Sequence, residues 1–378
     1  MSNSSTAASP VAPPEGEIYL VIGGEGFLGR AIVEALAERR ERTGSRDEIR
    51  VLDIRRNFAD EGVEFFQGDI CNAADVDAAV LGSSGDRTAM VVIHTASPIM
   101  KAPEALHTRV NVEGTRMLLE RCRVAGVDKF VFTSSASVVY SGAPLVYVDE
   151  ESAGYPESFA DHYSATKATA EKMVLEYNDP HGMRTAAIRP SGIFGPGDRQ
   201  TTPGALAAQR RGLPVLIQVG DNTAPFDFTY VGNIADAHLL CADKLYSEHV
   251  SGQAFFITND EPKGMWSFLR LLWAQVGDTR GPMLVIPTFV ASFILVVLKM
   301  LAAVRLIRHE VPFVFGMSFT PRYFNISKAK KYLGYKPRVS HAEGAPIAVK
   351  ACLERWAREE AEAEAKAAAV KPSSAAAQ

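Results

Sequence analysis

Apolar residues fall into short unbroken runs separated by longer stretches in which they recur at helical spacing. Ile18 to Ile22, Ile49 to Leu52, Val63 to Ile70, Met90 to Ala96 and Lys129 to Thr133 each have the length of a buried strand. Phe27 to Leu36, Ala73 to Leu81 and the segment through Arg109 to Thr115 read as helices between them. This alternation predicts an α/β domain with a parallel sheet and right-handed crossovers. Loops at the carboxyl ends of the strands are then where a ligand should sit. The most apolar run, Met283 to Leu298, is broken by Pro287 and stopped by Lys299, with Arg305 and Arg308 beyond.

Composition narrows the classes. The 378 residues suit a large α/β domain with a smaller lobe. With 40 basic and 44 acidic residues the balance gives no reason to invoke nucleic acid. Cys71, Cys122, Cys241 and Cys352 are dispersed, so neither a zinc site nor a disulfide framework is indicated, no metal is expected, and a reducing environment is the simplest reading. Residues 1–16 are rich in Ser, Ala and Pro and read as a disordered tail. Residues 356–378 read as a helix fraying into disorder.

The first chemical signal lies between the first strand and the first helix. Gly23-Gly24-Glu25-Gly26-Phe27-Leu28-Gly29 is a glycine turn that lets backbone approach a pyrophosphate, whose charge the helix N-terminus favours. It can be read as Gly24-x-Gly26-x-x-Gly29 or Gly23-x-x-Gly26-x-x-Gly29. Asp53, ending the second apolar run, stands where an acidic residue takes ribose hydroxyls. Asp69 and Ile70 are expected beside the adenine, and Thr95, Ala96 and Ser97 beside the middle of the dinucleotide. The fold expected is a Rossmann-like doubly wound parallel sheet, residues 17–190, followed by a smaller C-terminal substrate lobe, mainly 191–355, with strand returns to the sheet.

The second signal is Tyr163-Ser164-Ala165-Thr166-Lys167, a phenol and an ammonium on one helix face. A free tyrosine titrates near ~10 and is a poor base at neutral pH. A neighbouring ammonium favours its phenolate, as does an oxidised nicotinamide ring, and the same lysine can reach the nicotinamide ribose. Serine hydroxyls at the end of the preceding strand can stabilise charge on the substrate oxygen.

With Thr133-Ser134-Ser135-Ala136-Ser137-Val138 and Ile188-Arg189-Pro190-Ser191-Gly192-Ile193-Phe194-Gly195-Pro196-Gly197-Asp198 added, the chain resembles the extended short-chain dehydrogenases, in particular the 3β-hydroxysteroid dehydrogenase branch. Gly197 to Gln200, Gly220-Asp221-Asn222, Phe226 to Val231, Ala235 to His238 and Ser251 to Pro262 are similar to the sterol-4α-carboxylate 3-dehydrogenases (decarboxylating) of sterol biosynthesis. The resemblance runs from about Ile18 to about Leu353. It implies Tyr163 as proton acceptor, Lys167 as its partner and cofactor ligand, and Ser135 rather than Ser134 as the third hydroxyl. It implies cofactor contacts at Gly23, Gly24, Gly26, Phe27, Leu28, Gly29, Asp53, Asp69, Ile70, Thr95, Ala96, Tyr163, Lys167 and Pro190. Glu25 stands where the family has a small residue, and a carboxylate beside a pyrophosphate must point outward.

The reaction implied is oxidation of a 3β-hydroxyl with loss of a neighbouring carboxylate as carbon dioxide. The alternatives are another 3β-hydroxysteroid dehydrogenase or isomerase, a sugar-nucleotide epimerase, or a non-catalytic dinucleotide-binding scaffold. Asp53 favours NAD, whereas Arg55 and Arg56 leave NADP open. Arg199, Lys101 and His94 are candidates for gripping the substrate carboxylate. Met283 to Leu298 falls short of the roughly 20 apolar residues of a spanning helix unless it continues past Lys299 to Val304. Asn325 to Tyr335 resembles the lobe that folds back beside the substrate, so a crossing would strand that lobe. A monotopic segment in one leaflet is therefore expected, with an internal core helix as the alternative. The expected setting is the cytosolic face of the endoplasmic reticulum membrane, with a sterol substrate, the membrane surface, a sterol-demethylation enzyme complex and a homodimer through the Asn111 and Tyr163 helices as partners.

Overall fold

The computed structural model describes residues 16–58, 60–82, 89–212, 216–307 and 310–370. In chain order the first half runs β1 (Ile18–Ile22), α1 (Phe27–Thr43), β2 (Glu48–Asp53), β3 (Val63–Gln67), α2 (Ala73–Leu81), β4 (Met90–His94), α3 (Glu104–His107), α4 (Thr115–Ala125), β5 (Lys129–Thr133), β6 (Leu145–Val148), α5 (His162–Glu176) and β7 (Arg184–Pro190). The second half runs β8 (Ile193–Phe194), α6 (Thr201–Arg210), β9 (Ile217–Val219), β10 (Pro225–Phe226), β11 (Thr229–Tyr230), α7 (Val231–Asp243), β12 (Ala254–Ile257) and β13 (Lys263–Gly264). It ends with α8 (Met265–Ala274), β14 (Leu284–Ile286), α9 (Thr288–Ala303), α10 (Glu310–Gly316), β15 (Arg322–Phe324) and α11 (His341–Val370).

Seven strands form the main sheet in the order β12-β7-β5-β4-β1-β2-β3. Every pairing in it is parallel. Strand order reverses between β1 and β4, so the carboxyl ends at Gly23 and Thr95 flank the crevice where doubly wound sheets bind ligands. β1, β4 and β5 are buried along their whole length, which is why they read as unbroken apolar runs. Arg50 breaks that rule inside β2, and its buried guanidinium pairs with Glu48 at 2.5 Å and Glu64 at 3.2 Å. Asn72 caps α2 by accepting from Ala74 N, and Asp161 caps α5 by accepting from Ser164 N at 2.7 Å.

The expected helix through Arg109 to Thr115 contains a π turn, Thr108–Gly114, joining α3 to α4. A Cβ on Gly114 would meet Ile70 Cδ1 at 2.7 Å, so the glycine allows close packing there. The wide turn buries Asn111.

The division at residue 190 is not clean. β12 returns to the main sheet, as expected, but β6 leaves the first half to complete a four-stranded lobe sheet ordered β13-β10-β15-β6. The lobe core gathers Phe194, Phe226, Phe228, Phe268, Leu272 and Val349. Phe228 and Phe268 stack with ring centroids 3.7 Å apart. α11 is continuous through residue 370 rather than beginning afresh at 356; residues 371–378 and 1–15 of the two expected tails lie outside the described residues.

α9 is not a core helix. Only Ala291 and Ala302 of it are buried, while Phe289 is 77% and Phe293 70% exposed. Val296, Val297 and Met300 are also exposed, as are Met283, Leu284 and Val285 before the helix and Val304 and Leu306 after it. Among the described residues no helix is long and apolar enough to cross a membrane.

Candidate active site

The glycine turn is packed as tightly as its residues permit. Gly23 has φ +79°, and a Cβ there would meet Ala96 Cα at 2.8 Å. A Cβ on Gly29 would lie 2.0 Å from Gly23 O, so the first turn of α1 rests directly on the loop. Gly26 caps α1 without a side-chain acceptor, so the amides at Phe27, Leu28 and Gly29 begin the helix with no internal anion. Asp53 ends β2 and accepts from Glu25 N at 3.1 Å and Arg55 N at 3.3 Å. Burial raises its pKa against those amides.

Glu25 now has an explanation. Its Oε2 accepts from Asn57 N at 2.5 Å and Phe58 N at 3.0 Å, so it ties down the loop after β2. Arg55 and Arg56 are exposed on that loop, and Arg56 lies over the Phe65 ring at 5.3 Å.

Asp69 accepts from Cys71 N at 2.9 Å and pairs with Arg109 at 2.7 Å. The Ile70 side chain is in the core against Gly114, which leaves only its backbone for a ligand. Thr95 Oγ donates to Ile22 O at 2.8 Å, lashing β4 to the glycine turn beside Ala96. Pro190 ends β7, buried. A loop with no room for side chains, free helix amides and a carboxylate at the next strand end fit a nicotinamide dinucleotide.

The catalytic candidates meet at the end of β5. Ser135 caps the short 3₁₀ turn Ala136–Val139, its Oγ 3.2 Å from Ser137 N and 2.9 Å from Ser137 Oγ. Ser134 differs: its hydroxyl is buried without a hydrogen-bond partner. Tyr163 is half-buried in the first turn of α5, its ring edge-on to His107 at 5.6 Å. Burial pushes its pKa up to about 12, with a hydrogen bond to the Ser135 hydroxyl opposing and Asp161 adding to the rise. Lys167 is buried, donates to Thr133 O and lies 4.2 Å from the Phe132 ring centroid.

The Lys167 ammonium rests on a carbonyl and a ring face, and the Ser135 hydroxyl beside the phenol favours the phenolate. Burial holds Lys167 down to about 7, with the Glu171 carboxylate opposing.

Three features escaped the sequence reading. Ser137 shares the hydrogen bond of Ser135. Asn111 accepts from Ser97 Oγ at 3.0 Å and donates to Thr166 Oγ at 3.1 Å, linking the ligand crevice to α5. One turn beyond Lys167, Glu171 is fully buried and pairs with Arg189 at 2.7 Å while accepting from Tyr155 at 2.6 Å. The Tyr163-x-x-x-Lys167-x-x-x-Glu171 spacing could have indicated the last.

The candidates for the substrate carboxylate disperse. His94 is buried in the sheet, bonded to Thr115 Oγ at 3.0 Å, and burial lowers its pKa to about 3. Lys101 and Arg199 are exposed side chains. None of the three is brought to Tyr163 by a contact in the structure.

A glycine cradle and a Tyr-Lys-Ser cluster at the carboxyl edge of one parallel sheet define an extended short-chain dehydrogenase. The chain belongs to the 3-beta hydroxysteroid dehydrogenase/isomerase family, an oxidoreductase family, whose description matches residues 20–288. It is 38% identical over 341 residues to a sterol-4-alpha-carboxylate 3-dehydrogenase, decarboxylating, of Candida albicans, covering 86% of this chain and 94% of that protein. The corresponding protein of Mus musculus is 39% identical over 332 residues, covering 85% and 87%. Among solved structures, a Thermus thermophilus UDP-glucose 4-epimerase in complex with NAD has a similar fold, with TM-score 0.66 at 24% identity over 88% of this chain and 98% of that one.

Proposed function

We propose that this protein oxidises the 3β-hydroxyl of a 4α-carboxysterol with NAD and releases the carboxylate as carbon dioxide, working from a membrane surface. The reading rests above all on the meeting of Tyr163, Ser135 and Lys167 beside the glycine cradle in a chain of this family. The names of the curated relatives support the sterol acid as substrate. The Asp53 carboxylate at the end of β2 supports NAD over its 2′-phosphorylated form, since a second anion there would meet a carboxylate.

Tyr163 Oη takes the hydroxyl proton, and Ser135 Oγ donates a hydrogen bond to the oxygen as charge develops on it. The bound nicotinamide supplies the hydride acceptor. Lys167 is held rigidly by Thr133 O and Phe132, which fixes its ammonium at the floor of the site. The product carries a ketone next to a carboxylate. The bond from the ring carbon to the carboxylate carbon breaks, its electron pair moves into the ketone as an enolate, and carbon dioxide leaves. A proton then returns to the ring carbon. The Ser135 hydroxyl that served the alkoxide also serves the enolate oxygen, so one donor assists both steps.

The exposed apolar residues of α9, with those that precede and follow it, support a segment lying in one leaflet. We place it at the cytosolic face of the endoplasmic reticulum, where a membrane-borne sterol acid could enter without crossing water.

Purified protein offered a 4α-carboxysterol and NAD should reduce one cofactor per carbon dioxide released, and should prefer NAD to NADP. Cofactor reduction without carbon dioxide would make the protein a plain 3β-hydroxysteroid dehydrogenase. No reduction with either cofactor would refute the catalytic reading.

A further inference from the structure

With His94 inside the sheet and Lys101 and Arg199 exposed, the site needs another cation if it recognises an acid. Arg322 on β15 is in position. β15 lies between β10 and β6, with Arg322 opposite Phe226 on one side and Leu145 on the other. Its guanidinium carbon lies 4.7 Å from the Phe226 ring centroid and 5.0 Å from that of Tyr140. Tyr140 directly follows the Ser135–Val139 turn, and its carbonyl accepts from Ala160 N at 3.3 Å, just before α5 begins.

The hydrogen bond from Ala160 ties Tyr140, the ring beneath the guanidinium, to the start of α5, where the Asp161 carboxylate stands two residues before Tyr163. That carboxylate is engaged elsewhere: its two oxygens accept from Ser164 N at 2.7 Å and Ser164 Oγ at 2.9 Å. Arg322 Nε is buried without a hydrogen-bond partner, and among the described residues no carboxylate forms an ion pair with this side chain. A half-buried cation between two aromatic faces is poorly solvated, so an anion that reaches it is bound strongly.

The chemistry of the substrate supplies that anion. A 4-carboxylate hangs from the carbon adjacent to the one being oxidised, so its receptor must border the catalytic serine and tyrosine. The planar fork of a guanidinium matches a carboxylate. We propose that Arg322 binds the substrate carboxylate and is the residue that distinguishes a 4α-carboxysterol from the sterol lacking that group. This rests on the sterol-acid reading above.

The test compares three sterols on the full-length protein with NAD: the 4α-carboxysterol, its 4α-carboxamide and the 3β-sterol lacking the group. For Arg322→Gln, KM for the acid should rise about 10- to 100-fold, the effect of one charge-assisted contact, while values for the two neutral sterols stay within about 3-fold. Arg322→Lys should recover part of the loss. On the wild-type protein, which removes any question of folding, the carboxamide should show the same KM penalty as the acid does on Arg322→Gln. Equal effects of Arg322→Gln on all three sterols, or a wild-type protein that handles acid and carboxamide alike, would overturn the assignment while leaving the oxidation intact. A wild-type protein that oxidises none of them would overturn the parent reading and this one with it.

Discussion

The floor of the catalytic site and the surface of α9 break the usual distribution of residues in opposite directions. At the floor, Lys167, Glu171 and Arg189 are charged side chains taken out of water. On α9, Phe289, Phe293, Val296 and Met300 are large apolar side chains left in it. Both are the informative exceptions, the buried polar group and the exposed apolar patch. Their partners separate them. Lys167 has Thr133 O and the Phe132 face, and Glu171 has Arg189 and Tyr155, so these charges find their partners inside the protein. The α9 face finds no such complement among the described residues. Chemistry calls for groups held in place from within, and the delivery proposed above calls for a surface completed by what it meets.

The comparison can be broken at several points. The largest effect is expected from Tyr163→Phe, which removes the proton acceptor but keeps the ring. Cofactor reduction should fall by a factor of about 10² to 10⁴ with cofactor binding retained, as fluorescence titration would record. Normal rates would end the assignment of roles.

Next comes the buried pair. Arg189→Met leaves the Glu171 carboxylate uncompensated in the interior and should destabilise the fold by about 3–5 kcal/mol in urea unfolding. A loss below about 1 kcal/mol, the range of exposed pairs, would mean that water reaches the pair.

A smaller effect concerns pH. The pKa of Lys167 falls from 10.5 in the unfolded chain to about 7 in the folded one because burial disfavours the ammonium. Below pH 7 both states hold the proton and the whole burial penalty applies. Between these values the unfolded chain binds the extra proton, so stability rises with pH. Lys167→Met should flatten that rise in a series of urea midpoints, and an unchanged slope would show that the ammonium is solvated.

The smallest effect on the fold should come from the other region. Phe289→Asp with Phe293→Asp should leave stability within about 0.5 kcal/mol of the parent, since the side chains touch mainly solvent, yet abolish flotation with phospholipid vesicles. Strong destabilisation would mark α9 as a core helix after all.

The centre of the sheet was legible in the sequence because β1, β4 and β5 are buried along their whole length and read as apolar runs. Tyr163 and Lys167 were legible as candidates because a phenol and an ammonium four residues apart share a helix face, and Ser135 because it closes an apolar strand. What could not be read depended on contacts far apart in the chain. Glu25 is explained only by Asn57 and Phe58, across the next strand, and the capture of Lys167 by Thr133 O only by the packing of α5 on β5. The departure of β6 to the lobe sheet is set by its pairing with β15, more than 170 residues later. Arg322 carried no motif, because its meaning comes from Tyr140 and Asp161 rather than from its neighbours in sequence.

The division of labour between interior and surface is tested most directly by one rate ratio. The 4α-carboxysterol is presented to the parent protein and to the Phe289→Asp, Phe293→Asp variant, once dispersed in detergent micelles and once in phospholipid vesicles, and carbon dioxide release is recorded. The account predicts equal rates for the two proteins in detergent and a large deficit for the variant on vesicles alone. An equal deficit in both media would contradict it, because the apolar surface would then belong to the catalytic site itself.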